Sequence, residues 1–339
     1  MEKILVTGGA GMIGSNLVKR LVDLGHEVSV VDNLWRGKLE YLQDKQGKPV
    51  IDLEKKFFER DLSLPGTCDD LLNEVDYVYH LADVVAGVEY VFNNQGGVFN
   101  QNILINTNVV TSVKQNPVKG YIYVGTACSF PASLQSGVDA RPLKEEDQYP
   151  AAPESAYGWS KLMGEYEALL MEKETGIPVS VLVFHNVYGV PCDYSEEKSQ
   201  VIPSLIRKAV FAPESPFIVF GSGSQGRAFV HIDDVVHALI LTMDKGLGKG
   251  TIQIGPDVCV SIREVAETIV AISGKDIEIQ YDSSKPEGDK GRCANYSKAK
   301  RVLGWEPSIT LKEGLTSLYE WIETRILNDK KGKVIINKA

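Results

Sequence analysis

With 339 residues, 43% of them hydrophobic and 24% charged, the chain is long enough for about two domains with full cores. Its 36 Lys and Arg against 45 Asp and Glu leave a net charge of −9, which excludes a nucleic-acid backbone binder, because such proteins need a net basic face. Apolar runs such as residues 179–184 are too short for a membrane span, and five scattered cysteines without a Cys-x-x-Cys pair predict neither a disulfide frame nor a metal site.

The first predicted strand, Lys3–Thr7, runs straight into Gly8-Gly9-Ala10-Gly11-Met12-Ile13-Gly14 rather than into a signal sequence, so a cytoplasmic location is expected. The glycines let a backbone turn tightly against a pyrophosphate, which sits on the free amides of the helix that follows. That helix is predicted over Met12–Leu24, where Ile13, Leu17, Leu21 and Leu24 recur three to four apart. The second strand, Val28–Asp32, ends on a carboxylate that can accept from both hydroxyls of an adenosine ribose and repel a 2′-phosphate. Gly8, Gly11, Met12, Ile13, Gly14, Asp32 and Asn33 are therefore the expected dinucleotide site, and NAD is favoured over NADP, with Arg36 nearby as the one contrary signal.

Further strands are predicted at Phe57–Arg60, Tyr77–Leu81, Tyr121–Gly125 and Val179–Phe184, with helical patterns between them. Near-continuous apolar strands alternating with helices predict an α/β fold, a doubly wound parallel sheet of the Rossmann type covered on both faces. After residue 185 glycine and proline become frequent, with helices expected at Ser261–Ser273 and Leu311–Arg325 and a frayed, charged tail from Asn328. The expected organisation is a dinucleotide-binding domain over 1–184, completed by segments near 229–256, a smaller loop-rich substrate domain over 185–330, and a tail over 331–339. Ligand is expected in the cleft between the two domains.

Tyr157 and Lys161 stand four apart in a helical pattern, so both point the same way. A phenol beside an ammonium and a pyridinium cation is expected to have a lowered pKa and to act as a base, with Thr126, at the end of the fifth strand, bonding the same substrate hydroxyl.

These blocks together resemble the extended short-chain dehydrogenase/reductase family, the nucleotide-sugar epimerases and dehydratases. The resemblance covers nearly the whole chain: Asp61-Leu62, His80-Leu81-Ala82, Asn102, Asn186-Val187-Tyr188-Gly189, residues 226–234 and Leu303-Gly304-Trp305-Glu306-Pro307 all match. It implies that Asp61, Leu62, Leu81, Ala82 and Asn102 also serve NAD, together with Tyr157 and Lys161. It places Asn186, Arg227 and Arg292 at a nucleotide diphosphate, where an arginine fork suits phosphate. It also implies a nucleotide-diphosphate-sugar substrate and a homodimer paired through two helices.

The family's 4,6-dehydratases carry an Asp-Glu pair after this threonine and its decarboxylases a Glu; here those positions are Ala127 and Cys128, which disfavours both reactions. Residues 126–131, Thr-Ala-Cys-Ser-Phe-Pro, instead resemble the Ser-Ala-Cys-Ile-Tyr-Pro stretch of GDP-mannose 3,5-epimerases, as do residues 152–158, 184–189 and 286–292. That resemblance implies NAD-dependent epimerisation: Tyr157 takes the C4 hydroxyl proton as C4 is oxidised, Cys128 and a second base exchange protons at C3 or C5, and C4 is reduced again. The second base would be Lys198 of the Glu197-Lys198 pair, although ungapped alignment of the flanking blocks puts Gln200 there. A nucleotide-sugar 4-epimerase, a sugar dehydrogenase or 4-keto-sugar reductase, and a non-catalytic dinucleotide sensor are the alternatives.

Overall fold

The computed structural model describes residues 1–137, 140–285 and 290–336. Seven strands form one parallel sheet in the order β11-β6-β5-β4-β1-β2-β3. They are β1 (Lys3–Thr7), β2 (Glu27–Asp32), β3 (Phe57–Glu59), β4 (Tyr77–His80), β5 (Gly120–Thr126), β6 (Val179–Phe184) and, arriving much later, β11 (Gly250–Ile254). The helices α1 (Met12–Asp23), α2 (Leu53–Lys56), α3 (Val88–Asn93), α4 (Gln95–Gln115) and α5 (Ala156–Thr175) lie between these strands. The order reverses between β1 and β4, where a crevice opens beyond the strands' carboxyl ends.

Successive residues of β1 show why the sheet needs cover on both faces. Ile4 and Val6 pack into one core with Leu17, Leu21 and Val30, whereas Leu5 packs into another with Val78, Val109 and Tyr123. This two-sided burial is what the near-continuous apolar strands predicted.

Beyond β6 the chain builds a smaller unit from β7 (Asn186–Tyr188), α6 (Val201–Phe211), β8 (Phe217–Phe220), β9 (Gly226–Arg227) and β10 (Phe229–His231), and α7 (Ile232–Lys245) then returns to the large sheet, packing beside α1 in the first core. The smaller unit continues after β11 with β12 (Val260–Ser261), α8 (Ile262–Ser273), β13 (Ile279–Asp282), β14 (Gly291–Arg292) and α10 (Leu311–Ile336), while α9 (Ser297–Leu303) packs against α7 and β11 in the first core. A third core joins α6, α8 and α10 through Leu205, Ile206, Val265, Ile269, Leu318 and Ile322. Helix α8 starts one residue later than expected because Ser261 caps it, its Oγ accepting from Glu264 N at 3.1 Å.

The last helix extends past the expected end at Arg325. Helix α10 runs on to Ile336, since Ile322 and Ile326 anchor it in the third core and no proline interrupts residues 328–336. Residues 337–339 lie outside the described residues. Among the described residues no helix is long and apolar enough to cross a membrane.

Candidate active site

A cavity of about 680 Å³ follows the crevice from the β1–α1 turn to the smaller unit. At its start, Gly8 adopts φ +67°, and a Cβ there would meet Ala82 N at 2.9 Å. A Cβ on Gly14 would lie 2.2 Å from Gly8 O, so the turn closes only around glycine. Gly11 precedes α1 without a side-chain cap, which leaves the amides of the first turn for an outside acceptor.

Asp32 is almost fully buried at the carboxyl end of β2. Its Oδ2 accepts from Ala10 N at 3.0 Å and its Oδ1 from Leu34 N at 2.8 Å, which fixes the carboxylate toward the cavity it lines. Glycine turn, uncapped amides and fixed carboxylate together fit the pyrophosphate and adenosine ribose of NAD. Asn33, Asp61, Leu62, Leu81 and Ala82 line the same wall, with Met12 and Ile13. Asn102 is brought elsewhere: fully buried behind the wall, it accepts from Val84 N at 2.6 Å and donates to Val84 O and Ser160 Oγ. It therefore grips the loop after β4 instead of lining the cavity.

Burial pushes the Asp32 carboxyl above its ordinary range, and its two amide bonds oppose this. Once protonated, the carboxyl no longer accepts from both ribose hydroxyls. NAD affinity is thus expected to fall on acidification at a higher pH than an exposed aspartate would give, and Asp32→Asn to cost about tenfold at neutral pH and abolish the step. A fluorescence titration of NAD binding across the acidic range checks both.

Beyond the cofactor end, β5 ends at Thr126 and α5 begins just after its cap, Ser155, whose Oγ accepts from Gly158 N at 3.2 Å. The two elements touch closely: a Cβ on Gly158 would lie 2.2 Å from Cys128 O. Tyr157 is thereby set near Thr126, whose side chain acts to lower the phenol's pKa, and Thr126 Oγ1 accepts from Cys128 N at 3.2 Å. Tyr157, Thr126, Cys128 and Lys161 all line the cavity.

The lowered phenol pKa expected from the sequence is not found in the chain itself. Burial, then Asp83, Cys128 and Tyr123, hold Tyr157 well above its ordinary value, and only Thr126 opposes them. Burial is the largest of these influences, and the lysine meant to oppose them has partners of its own: Lys161 Nζ is 3.0 Å from Asp83 Oδ2 and 4.6 Å from the centre of the Tyr123 ring.

At the far end, Arg227 and Arg292 pair in register on β9 and β14, both almost fully buried, and line the cavity with Asn186. Of the matching stretch 286–292, residues 286–289 lie outside the described residues. Lys198 is not among the lining residues, although its neighbours Glu197, Ser199 and Gln200 are. Its ammonium sits 5.0 Å over the ring of Trp35, itself a lining residue, in a cation–π contact, and 3.5 Å from Trp35 O. Of the two positions weighed for the second base, Gln200 lines the cavity and Lys198 stands beside the lining residue Trp35.

Three lining residues were assigned no binding or catalytic role from the sequence. Asp83 follows the His-Leu-Ala block, Arg36 donates to Val85 O at 2.6 Å, and buried His185 bonds Gln253 Oε1 at 3.1 Å while burial holds its pKa down at about 3. Their signal was residue type at the carboxyl ends of strands, where α/β sheets place their ligands.

The profile described as "NAD dependent epimerase/dehydratase family" matches residues 4–255. GDP-mannose 3,5-epimerase 1 of Oryza sativa subsp. indica is 31% identical over 328 residues, covering 97% of this chain and 83% of its own. UDP-glucuronic acid decarboxylase 1 of Arabidopsis thaliana is 29% identical over 336 residues, covering 98% and 72%. Among solved structures, UDP-glucose 4-epimerase from Thermotoga maritima, crystallised with UDP-glucose, superposes with a TM-score of 0.84 at 29% identity over 96% of this chain and 99% of that one. UDP-glucuronic acid 4-epimerase from Bacillus cereus, in complex with UDP-glucuronic acid and NAD, does so with a TM-score of 0.80 at 26% identity over 95% and 99%.

Proposed function

The chain belongs to the NAD-dependent epimerase/dehydratase family, and from that footing we propose that it is a nucleotide-sugar epimerase of the GDP-mannose 3,5-epimerase kind. The observation that carries this reading is the Cys128 thiol on the cavity wall two residues after Thr126, at a position with no carboxylate for dehydration or decarboxylation.

In this reading Arg227 and Arg292 hold the nucleotide diphosphate, with Asn186 beside them. The sugar then lies between the NAD end and the Thr126–Cys128 turn. Thr126 orients the C4 hydroxyl and Tyr157 accepts its proton, while Lys161 holds the phenol's surroundings in place. Bound NAD supplies reversible hydride acceptance at C4. A ketone at C4 acidifies the neighbouring C–H bonds, and the Cys128 thiolate removes a proton there and a thiol returns one.

Gln200 on the wall in place of Lys198 favours a second reading, a 4-epimerase, which needs only Thr126, Tyr157, Lys161 and room for the keto sugar to turn. Incubating the protein with GDP-mannose in heavy water separates the two. Deuterium at C3 or C5, lost in Cys128→Ala, supports the first; inversion at C4 alone, unaffected by Cys128→Ala, supports the second.

A homodimer is part of the same proposal. Leu104 on α4 and Tyr166 and Leu170 on α5 are exposed apolar side chains on two helices packed side by side, as a paired helical face requires.

A further inference from the structure

The loop after β4 delivers a carboxylate into the catalytic corner. Leu81 N and Ala82 N donate to Thr7 Oγ1 at 3.1 and 3.0 Å, and Thr7 Oγ1 contacts His80 Nδ1 at 2.8 Å. On the other side Asn102 grips Val84 through both its amide and its carbonyl. Asp83 is bracketed by these anchors, so its side chain is placed by the fold. Its Oδ2 lies 3.0 Å from Lys161 Nζ, with the lysine side chain 2% exposed and the carboxylate 10%. Two charges so enclosed persist only in close contact, and each cancels much of the other's field in that corner.

We propose that Asp83 is a positioning residue of the reaction, holding the Lys161 ammonium in the corner and offsetting its charge, so that Tyr157 works as a base only at a higher pH than a tyrosine–lysine pair alone would. This rests on the reading of Tyr157 as the base. The electrostatics agree in sign: after burial, Asp83 is the largest influence raising the phenol, followed by Cys128 and Tyr123, with Thr126 opposing. The other titratable groups around Lys161 are Tyr123 on β5, His80 on β4, which burial and Lys161 hold neutral with a pKa of about 3, and Glu165 on α5, buried and bonded by Thr251 and Gln148.

The test is Asp83→Asn, which keeps the shape and removes the charge. The acid limb of kcat/KM against pH is expected to move down by about one unit, a gain of roughly tenfold over the parent on the acid side. Asp83→Glu should keep the limb near the parental position. A residue that only supported the loop would lower the rate at every pH and leave the limb in place, and that result would overturn the proposal. A second measurement needs no substrate and so stands even if the epimerase reading fails. In a spectrophotometric titration carried up to the highest pH the fold tolerates, D83N is expected to show additional tyrosinate ultraviolet absorbance from a lower pH than the parent, a difference absent when Tyr157→Phe is combined with it. Equal absorbance in D83N and parent would also overturn the proposal. Should D83N fail to fold, Asp83→Ser is read by the same two measurements.

Discussion

Tyr157→Phe is expected to lower kcat by about 10³-fold with little change in melting temperature. The substitution removes one oxygen and leaves the ring on α5. Thr126 cannot replace it as base, because an aliphatic hydroxyl is a far weaker acid than a phenol and its oxygen already accepts from Cys128 N. Proton exchange at C3 and C5 depends on a ketone at C4, so in the proposed reaction Y157F also loses deuterium uptake. Cys128→Ala, by contrast, is expected to lose uptake but keep a substrate-dependent rise in the absorbance of reduced cofactor. The parent rate should climb with pH, since burial holds the phenol above its ordinary value and only the ionised form accepts a proton. Stopped-flow absorbance with mass spectrometry of the recovered sugar reads all of these, and more than a tenth of parental activity in Y157F would place the base elsewhere.

Gly158→Ala is the second large effect. A methyl there meets the Cys128 carbonyl at 2.2 Å and Pro153 Cβ at 2.9 Å, and the first is backbone that cannot swing aside. The alanine gains about 1 kcal/mol of helix propensity yet is expected to cost stability overall, by about 2 kcal/mol, because α5 and the Thr126–Cys128 turn must separate. That displacement moves Tyr157 from Thr126. Misplacement by about 1 Å costs on the order of 100-fold in kcat. Urea denaturation with parallel kinetics tests the pairing of the two losses; an unchanged kcat would show that turn and helix move independently.

The cofactor end was legible because its geometry is written in glycines: Gly8 and Gly14 are required by approaches that any Cβ would block. The Tyr157 and Lys161 pair was legible because helical spacing alone sets which way two side chains point. Lys161's partner was not, since Asp83 sits on a different element and no local period connects them. Lys198 looked like an acid/base from its Glu-Lys setting, but the aromatic ring that captures it belongs to the loop after β2, far away in sequence. Strand β11 gave little signal of its own: Gly250-Thr251-Ile252-Gln253-Ile254 is half polar, and Gln253 is buried only because His185 and Leu143 O meet its amide. The reach of α10 beyond Arg325 was not legible because charge patterning says nothing about how firmly Ile322 and Ile326 hold the preceding turns.

The late arrival of β11 has a consequence for how the chain can be made. Its residues pair one for one with β6, from Gly250 with Ser180 to Ile254 with Phe184. While residues 185–249 are still being synthesised, β6 therefore has one unpaired side, and every one of its residues is of a kind the finished molecule buries. An open strand of that composition invites pairing with another nascent chain. Stopping synthesis near residue 185, or cutting the chain there, would leave that edge uncovered and favour aggregation over a free-standing first half.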